Sequence, residues 1–412
     1  MRPRKALGSR LSWAAAVLLA TAMLLSAAPA LAKSNLLDKE DLAPLLGGWA
    51  PRLTAGYTLR ADHPKLGRLR LEPTISPFLQ TMAEGWLKPL KSRRAAIVVL
   101  EPATGRVLVM AGVRNRRLDP GVALDSSAPA ASLFKIITAA AALEEAGLEA
   151  ESRLGYVGRP HTLYRFQLRK KPRYRPRLVT LTKSFASSNN PVFARLGIYQ
   201  LGSAMLTNYA RALGFEKNLP FELPLKPSRL VHPSTSFAVG EMASGYNRVT
   251  SMSPLHAAVM VAAFLNGGRL PQPCILKRVA RLDGKVFYQS RPNLGPAVIS
   301  PETCLQMQRL FEATVEKGTA RRAFRRLSRD KVLKYLDLGG KTGTIRGPDR
   351  SELFQWFAGY GRDPGTGRTL AVSALVVHGK VRYANPKKLA RSMLKEAFRS
   401  TLYAKKRPSP IN

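Results

Sequence analysis

An α+β fold built on an antiparallel sheet is what this sequence predicts, with strands towards both ends of the chain and helices between them. Three observations carry it. Ala95–Glu101 (AAIVVLE) and Arg106–Ala111 (RVLVMA) are apolar runs on either side of Pro102-Ala-Thr-Gly105, the pattern of a β-hairpin. Gln355–Gly361 and Arg368–His378 repeat that pattern across Asp363-Pro-Gly-Thr-Gly367. Between the two hairpins, Ser132–Glu145 is apolar on nearly every side and stops near Gly147, as a buried helix does.

The remaining elements follow in chain order. Residues 1–10 carry four positive charges and no acid, and LSWAAAVLLATAMLLSAAPALA follows, ending in Ala30-Leu31-Ala32. A basic flank, an apolar run and an A-x-A site read as a secretory signal peptide over 1–32, or as an uncleaved membrane anchor. The expected location is therefore outside the cytoplasm, periplasmic or on the outer face of the cytoplasmic membrane. No later stretch is apolar for long enough to span a bilayer. Residues 33–70 show no strong period and form a lead-in. The main domain is expected over 71–404, with a short basic tail at 405–412. Arg165–Arg177 is basic, holds two prolines and reads as an exposed loop. Ser253-Pro254 and Ser300-Pro301 each pair an N-cap with a first helical proline. The first of these helices stops at Asn266-Gly267-Gly268 and the second before Gly318. Pro386–Leu402 places Leu389, Met393, Ala397 and Leu402 at helical spacing.

Composition narrows the function classes. Hydrophobic residues make up 45% of the 412 and charged residues 22%, which excludes wholesale disorder. Lys and Arg outnumber Asp and Glu by 66 to 26, a net charge of +40. That charge would suit a nucleic acid, but the export signal argues against one and towards an acidic cell-wall or membrane surface. Export also permits a disulfide between the two cysteines, Cys274 and Cys304. Cys274 precedes a strand and Cys304 opens a helix, so two separate buried thiols is the other reading. The five histidines have no metal-ligand spacing, and no metal or cofactor is expected.

Three short motifs carry chemistry. Ser132-Leu133-Phe134-Lys135 puts a serine and a lysine on one face of the buried helix. Free N–H groups at a helix start suit an oxyanion, and a lysine in an apolar site can act as a base. An N-cap serine and a snorkelling lysine would look the same, because S-x-x-K arises by chance about once or twice at this length. Ser187-Ser188-Asn189 offers a hydroxyl and an amide, Ser187 and Asn189, from one turn, though such residues also gather in turns for local reasons. Lys341-Thr342-Gly343-Thr344 follows Gly339-Gly340 and combines a cation, a hydroxyl and a glycine beside which a substrate strand could lie. Its bland alternative is a turn before a strand.

In this order S-x-x-K, S-x-N and K-T-G are the signature of penicillin-binding proteins and class A β-lactamases. The sequence resembles the penicillin-binding transpeptidase domain over roughly Leu71 to Leu402. Thr74-Ile75-Ser76-Pro77 resembles its lead-in, with Ser76 where aspartate is usual. AAIVVLEPATGRVLVMAG resembles its first hairpin, and Pro129-Ala-Ala-Ser132 the approach to its nucleophile. SMSPLHAAVMVAAFLNGG, Val315–Ala320 (VEKGTA) and QWFAGY resemble further segments.

The resemblance implies an antiparallel sheet flanked by helices, a largely helical subdomain, and a site between them. It implies that Ser132 attacks a D-alanyl-D-alanine stem peptide of peptidoglycan, that Lys135 takes its proton and that Ser187 relays a proton to the leaving group. Asn189 would hold the donor backbone, and Lys341 and Thr342 the terminal carboxylate. Gly343 would leave room for the substrate, and the N–H groups of Ser132 and Thr344 would form the oxyanion hole. Lys341 would keep Lys135 partly neutral. Transfer to an amine would give a cross-link, transfer to water would trim the peptide, and β-lactams would be covalent inhibitors. The length leaves no room for the glycosyltransferase domain of bifunctional members, so a stand-alone transpeptidase-type domain is expected. A serine β-lactamase of the same fold is the alternative. Glu216 and Glu222 lie downstream of the S-x-N motif, but GFEKNLPFELP does not resemble a deacylation loop. A non-catalytic peptidoglycan-binding relative is the other alternative.

Overall fold

A computed structural model describes residues 37–404 apart from 47, 49, 64, 65 and 348. The expected signal or anchor of residues 1–32 and the tail of 405–412 lie outside the described residues. The lead-in is more ordered than its lack of period suggests. It forms a hairpin of β1 (Leu59–His63) and β2 (Gly67–Pro73), so the expected boundary at residue 70 falls inside a strand.

The first predicted hairpin is β3 (Arg94–Leu100) and β4 (Val107–Arg114), followed by the short β5 (Arg117–Leu118). β6 (Leu276–Arg281) and β7 (Val286–Gln289) join the lead-in hairpin in a four-stranded sheet of order β1-β2-β6-β7. β8 (Asp337–Arg346), β9 (Leu353–Arg362) and β10 (Thr369–His378) complete the main sheet, six strands in the order β8-β9-β10-β3-β4-β5. Every neighbouring pair in it is antiparallel. β8, which carries K-T-G, is an edge strand.

The two faces of the sheet read directly off β3. Ala96, Val98 and Leu100 enter one core, while Ala95, Ile97 and Val99 enter another. Both faces are therefore covered, which is why these strands are continuous apolar runs instead of alternating ones. One face packs on α1 (Pro77–Leu87) and the C-terminal helix. The other face packs on the helical layer: α2 (Lys135–Glu145), α3 (Leu181–Ala186), α4 (Asn190–Leu196), α5 (Ser236–Ser244), α6 (Pro254–Ala263) and α7 (Pro301–Glu316). The C-terminal helix is α8 (Pro386–Ala404). Ser253 and Ser300 cap α6 and α7 as expected, their hydroxyls accepting from His256 N and Thr303 N.

The stretch Arg165–Arg177 is not wholly a loop. Arg165–Leu168 is a 3₁₀ turn whose buried Gln167 bonds back to Tyr164 N, and Arg177 opens a strand paired with Arg153–Tyr156. Residues 169–177 are exposed apart from a half-buried Pro172. Cys274 and Cys304 are buried free thiols, held on β6's approach and α7's first turn by separate packing. Burial pushes them up to about 11 and about 12.

Candidate active site

Ser132 lies in a 3₁₀ turn, Ala131–Phe134, that runs straight into α2. The turn is clamped from three sides. Ala130 N donates to Thr250 O at 2.9 Å, and the buried Trp356 Nε1 on β9 donates to Pro129 O at 2.9 Å. Gly245, with φ 63°, ends α5 so close that a Cβ on it would stand 1.9 Å from Ala131 O. Ala131 itself is held at φ 50°, a left-handed conformation costing about 1–2 kcal/mol that these contacts sustain.

Lys135 is fully buried. Its Nζ stands 2.9 Å from Ser132 Oγ, donates to Asn190 Oδ1 at 2.7 Å, and also donates to Ser244 O. Burial, then the nearby Lys341 charge, hold its pKa well below the ordinary lysine range. Lys341, on β8, is also fully buried, and burial lowers it to about 7. Its ammonium donates to Ser188 Oγ and to Thr342 O, both at 3.0 Å. It therefore faces inward behind Ser188 and does not line the open cleft.

The S-x-N motif is shifted by one residue from the expected frame. Ser187 is the C-cap of α3, and its hydroxyl is spent on Lys183 O at 2.7 Å. Asn189 is the N-cap of α4, its side chain accepting from Val192 N at 3.2 Å. Ser188 and Asn190 are the pair that reaches Lys341 and Lys135. Ser188 adopts φ 59°, and that left-handed residue turns the hydroxyl inward. The proline does not give the frame away: Pro254 and Pro301 directly follow their caps, whereas Pro191 is the second residue of α4 and the cap is Asn189.

Ser132, Ser188, Asn190, Thr342, Gly343 and Thr344 line one cleft of about 430 Å³. Gly343 lines the cleft and also eases the packing behind it: a Cβ there would press at 3.3 Å on Ala131 and Trp356, so the glycine lets the turn that carries Ser132 approach β8. Thr342 Oγ1 pairs at 2.6 Å with Thr319 Oγ1, from the loop after α7. Thr319 and Lys387 also line the cleft and were not singled out by sequence. Among the described lining residues none is an aspartate or glutamate. Glu216 is paired with Arg211 and His232. Glu222 is buried against Ile275 N and the Tyr288 hydroxyl, its pKa raised by burial.

Comparison with known proteins agrees with this fold. The penicillin-binding protein transpeptidase domain matches residues 95–399 as a family. Stage V sporulation protein D of Bacillus subtilis is 28% identical over 300 residues, which are 69% of this chain and 45% of that protein, so the chain spans less than half its length. Peptidoglycan D,D-transpeptidase PbpA of Mycobacterium tuberculosis is 26% identical over 356 residues, 76% of this chain and 68% of that one. The crystal structure of PBPA from Mycobacterium tuberculosis superposes with a TM-score of 0.65 at 22% identity, covering 82% of this chain and 81% of that one. The penicillin G acyl-enzyme complex of the same organism's penicillin-binding protein A gives 0.64 at 23% identity, covering 81% and 80%.

Proposed function

Because the chain belongs to the penicillin-binding protein transpeptidase domain family, we propose that it is an exported peptidoglycan D,D-transpeptidase acylated at Ser132. The observation that carries the mechanism is the surroundings of Lys135. A neutral amine has two hydrogens and one lone pair. Asn190 Oδ1 and Ser244 O take the two hydrogens, which leaves the lone pair for the Ser132 hydroxyl at 2.9 Å. The lowered pKa supports the neutral form.

Ser132 Oγ attacks the carbonyl carbon of the penultimate D-alanine while its proton passes to Lys135 Nζ. The N–H groups of Ser132 and Thr344, the latter on the sheet's edge strand, receive the oxyanion. The C–N bond then breaks. The leaving D-alanine nitrogen takes a proton through Ser188, which is bonded to Lys341, and the proton on Lys135 restores that relay. Ser132 is left as an ester. An amine from a second stem peptide attacks it, loses a proton to Lys135 and forms the cross-link, while the Ser132 oxygen recovers its hydrogen. Water in place of the amine would trim the peptide. The N-terminal sequence supports export, and the charge of +40 supports association with an acidic wall or membrane surface.

A β-lactamase would need a base to drive water onto the ester. A cleft with no carboxylate among its described lining residues supports a long-lived adduct instead. A pulse of penicillin should leave the intact protein heavier by one drug molecule for many minutes, with Ser132→Ala unmodified. Loss of the adduct within seconds with repeated turnover would identify a β-lactamase, and full labelling of Ser132→Ala would remove Ser132 from its role.

A further inference from the structure

The cleft is short of charge. Among its described lining residues a single one is Lys or Arg, Lys387, and no carboxylate offsets it. The two lysines of the motifs are accounted for elsewhere. Lys135 holds Ser132, and Lys341 is buried with its ammonium turned to Ser188 and its own strand. A negative group arriving at the Thr319–Thr342 end of the cleft therefore meets Lys387 as the lining cation, while Arg248, Arg346 and Arg350 line the adjoining cavity that shares Tyr246, Thr344 and Ile345.

Lys387 is the second residue of α8. Its backbone N–H donates to Asn385 Oδ1 at 3.0 Å, which orders the start of the helix at the cleft's rim. Its ammonium is half-buried and makes one long hydrogen bond, 3.5 Å to Thr319 O. An ammonium has three donors, and no ion pair with Lys387 occurs among the described residues. The same Thr319 pairs its hydroxyl with Thr342. One end of the cleft thus gathers a part-desolvated cation and two hydroxyls, a receptor for a carboxylate. Burial lowers the Lys387 pKa, as expected for a cation waiting without a counter-ion.

We propose that Lys387, with Thr319 and Thr342, binds the terminal carboxylate of the acyl donor and makes the enzyme select donors that end in a free acid. This rests on the acyl-transfer reading above and deepens it. In that assignment Lys341 tunes the proton relay, and Lys387 supplies the charge that the substrate meets.

The test compares two donors on the full chain: N-benzoyl-D-alanylthioacetate, which ends in a carboxylate, and the same thioester closed by a carboxamide. Wild type should prefer the acid. Lys387→Gln should lower kcat/KM for the acid about ten- to a hundredfold, mostly through KM, the worth of a hydrogen bond to a charged group. The amide donor, whose carbonyl oxygen also accepts from an ammonium, should fall far less than the acid, an unchanged thermal melt shows that the variant is folded, and Lys387→Arg should recover most of the preference. An equal fall on both donors would assign Lys387 a structural role and overturn the proposal, as would no fall on the acid. A wild type that penicillin acylates but that treats acid and amide alike would sink this inference alone. A wild type inert to both thioesters and to penicillin would overturn the acyl-transfer reading and this proposal with it.

Discussion

Replacing Ser188 and Ser187 by alanine, one at a time, tests which hydroxyl belongs to the site. The two residues are adjacent and chemically identical, so only their tertiary surroundings distinguish them. Ser188 Oγ accepts from the buried Lys341 ammonium at 3.0 Å. Alanine tolerates φ 59° no better and no worse than serine, so Ser188→Ala removes the hydroxyl without adding backbone strain. It leaves a buried donor unmatched, at a cost of about 1–3 kcal/mol in stability. It also removes a proton-transfer partner, worth about 10²–10⁴ in rate. Ser187 Oγ makes one partly exposed bond to Lys183 O. Losing it should cost about 1 kcal/mol or less and leave the chemistry untouched. Stopped-flow acylation by a fluorescent penicillin reads the rate, and urea unfolding reads the stability. Slow acylation in Ser187→Ala with normal acylation in Ser188→Ala would refute the assignment and return the motif to its other frame.

Lys341 titrates near 7 in the folded protein and near its ordinary 10.5 when unfolded, so between those values the unfolded chain binds more protons. Stability should rise with pH from about 7 to about 10, by up to about 1.4 kcal/mol per pH unit for this group, and Lys341→Met should flatten the rise in urea melts. Gly245→Ala should destabilise by about 3 kcal/mol and slow penicillin acylation, because its Cβ would meet Ala131 O at 1.9 Å and its φ is 63°; an unchanged melting curve would contradict the clamp on the nucleophile's turn. Arg165–Arg177 and Arg321–Arg329 present exposed cations, so co-sedimentation with purified cell wall should fall steeply between low and physiological salt. Binding indifferent to salt would point to a specific pocket instead of the charge.

What could be read from the sequence shares one property: it is encoded by near neighbours. The β3–β4 and β9–β10 hairpins announce themselves because an apolar run, a turn and a second run lie within about twenty residues. The caps at Ser253 and Ser300 are i to i+3 contacts. Ser132 and Lys135 are one turn apart, so their 2.9 Å approach is local geometry. The lead-in strands were harder, since β2 finds its second partner, β6, some two hundred residues away and carries no period of its own.

The sequence by itself determined the sheet, the buried helix, the pairing of Ser132 with Lys135, and the order of the three motifs. Tertiary structure alone decided the rest of the site. In Ser187-Ser188-Asn189-Asn190 two frames of S-x-N are equivalent as text. The choice was made by Lys135 and Lys341 reaching across from other elements to Ser188 and Asn190. It likewise decided that Gly343 makes way for Ala131 and Trp356, and that Lys387, more than two hundred and fifty residues from Ser132, shares its cleft. The physical reason is the range of the interactions. Turns, caps and one-turn pairs are set by backbone geometry over a few residues. The direction of a buried cation is set by whichever distant group desolvates it and offers it an acceptor, and only the packed chain brings the two together.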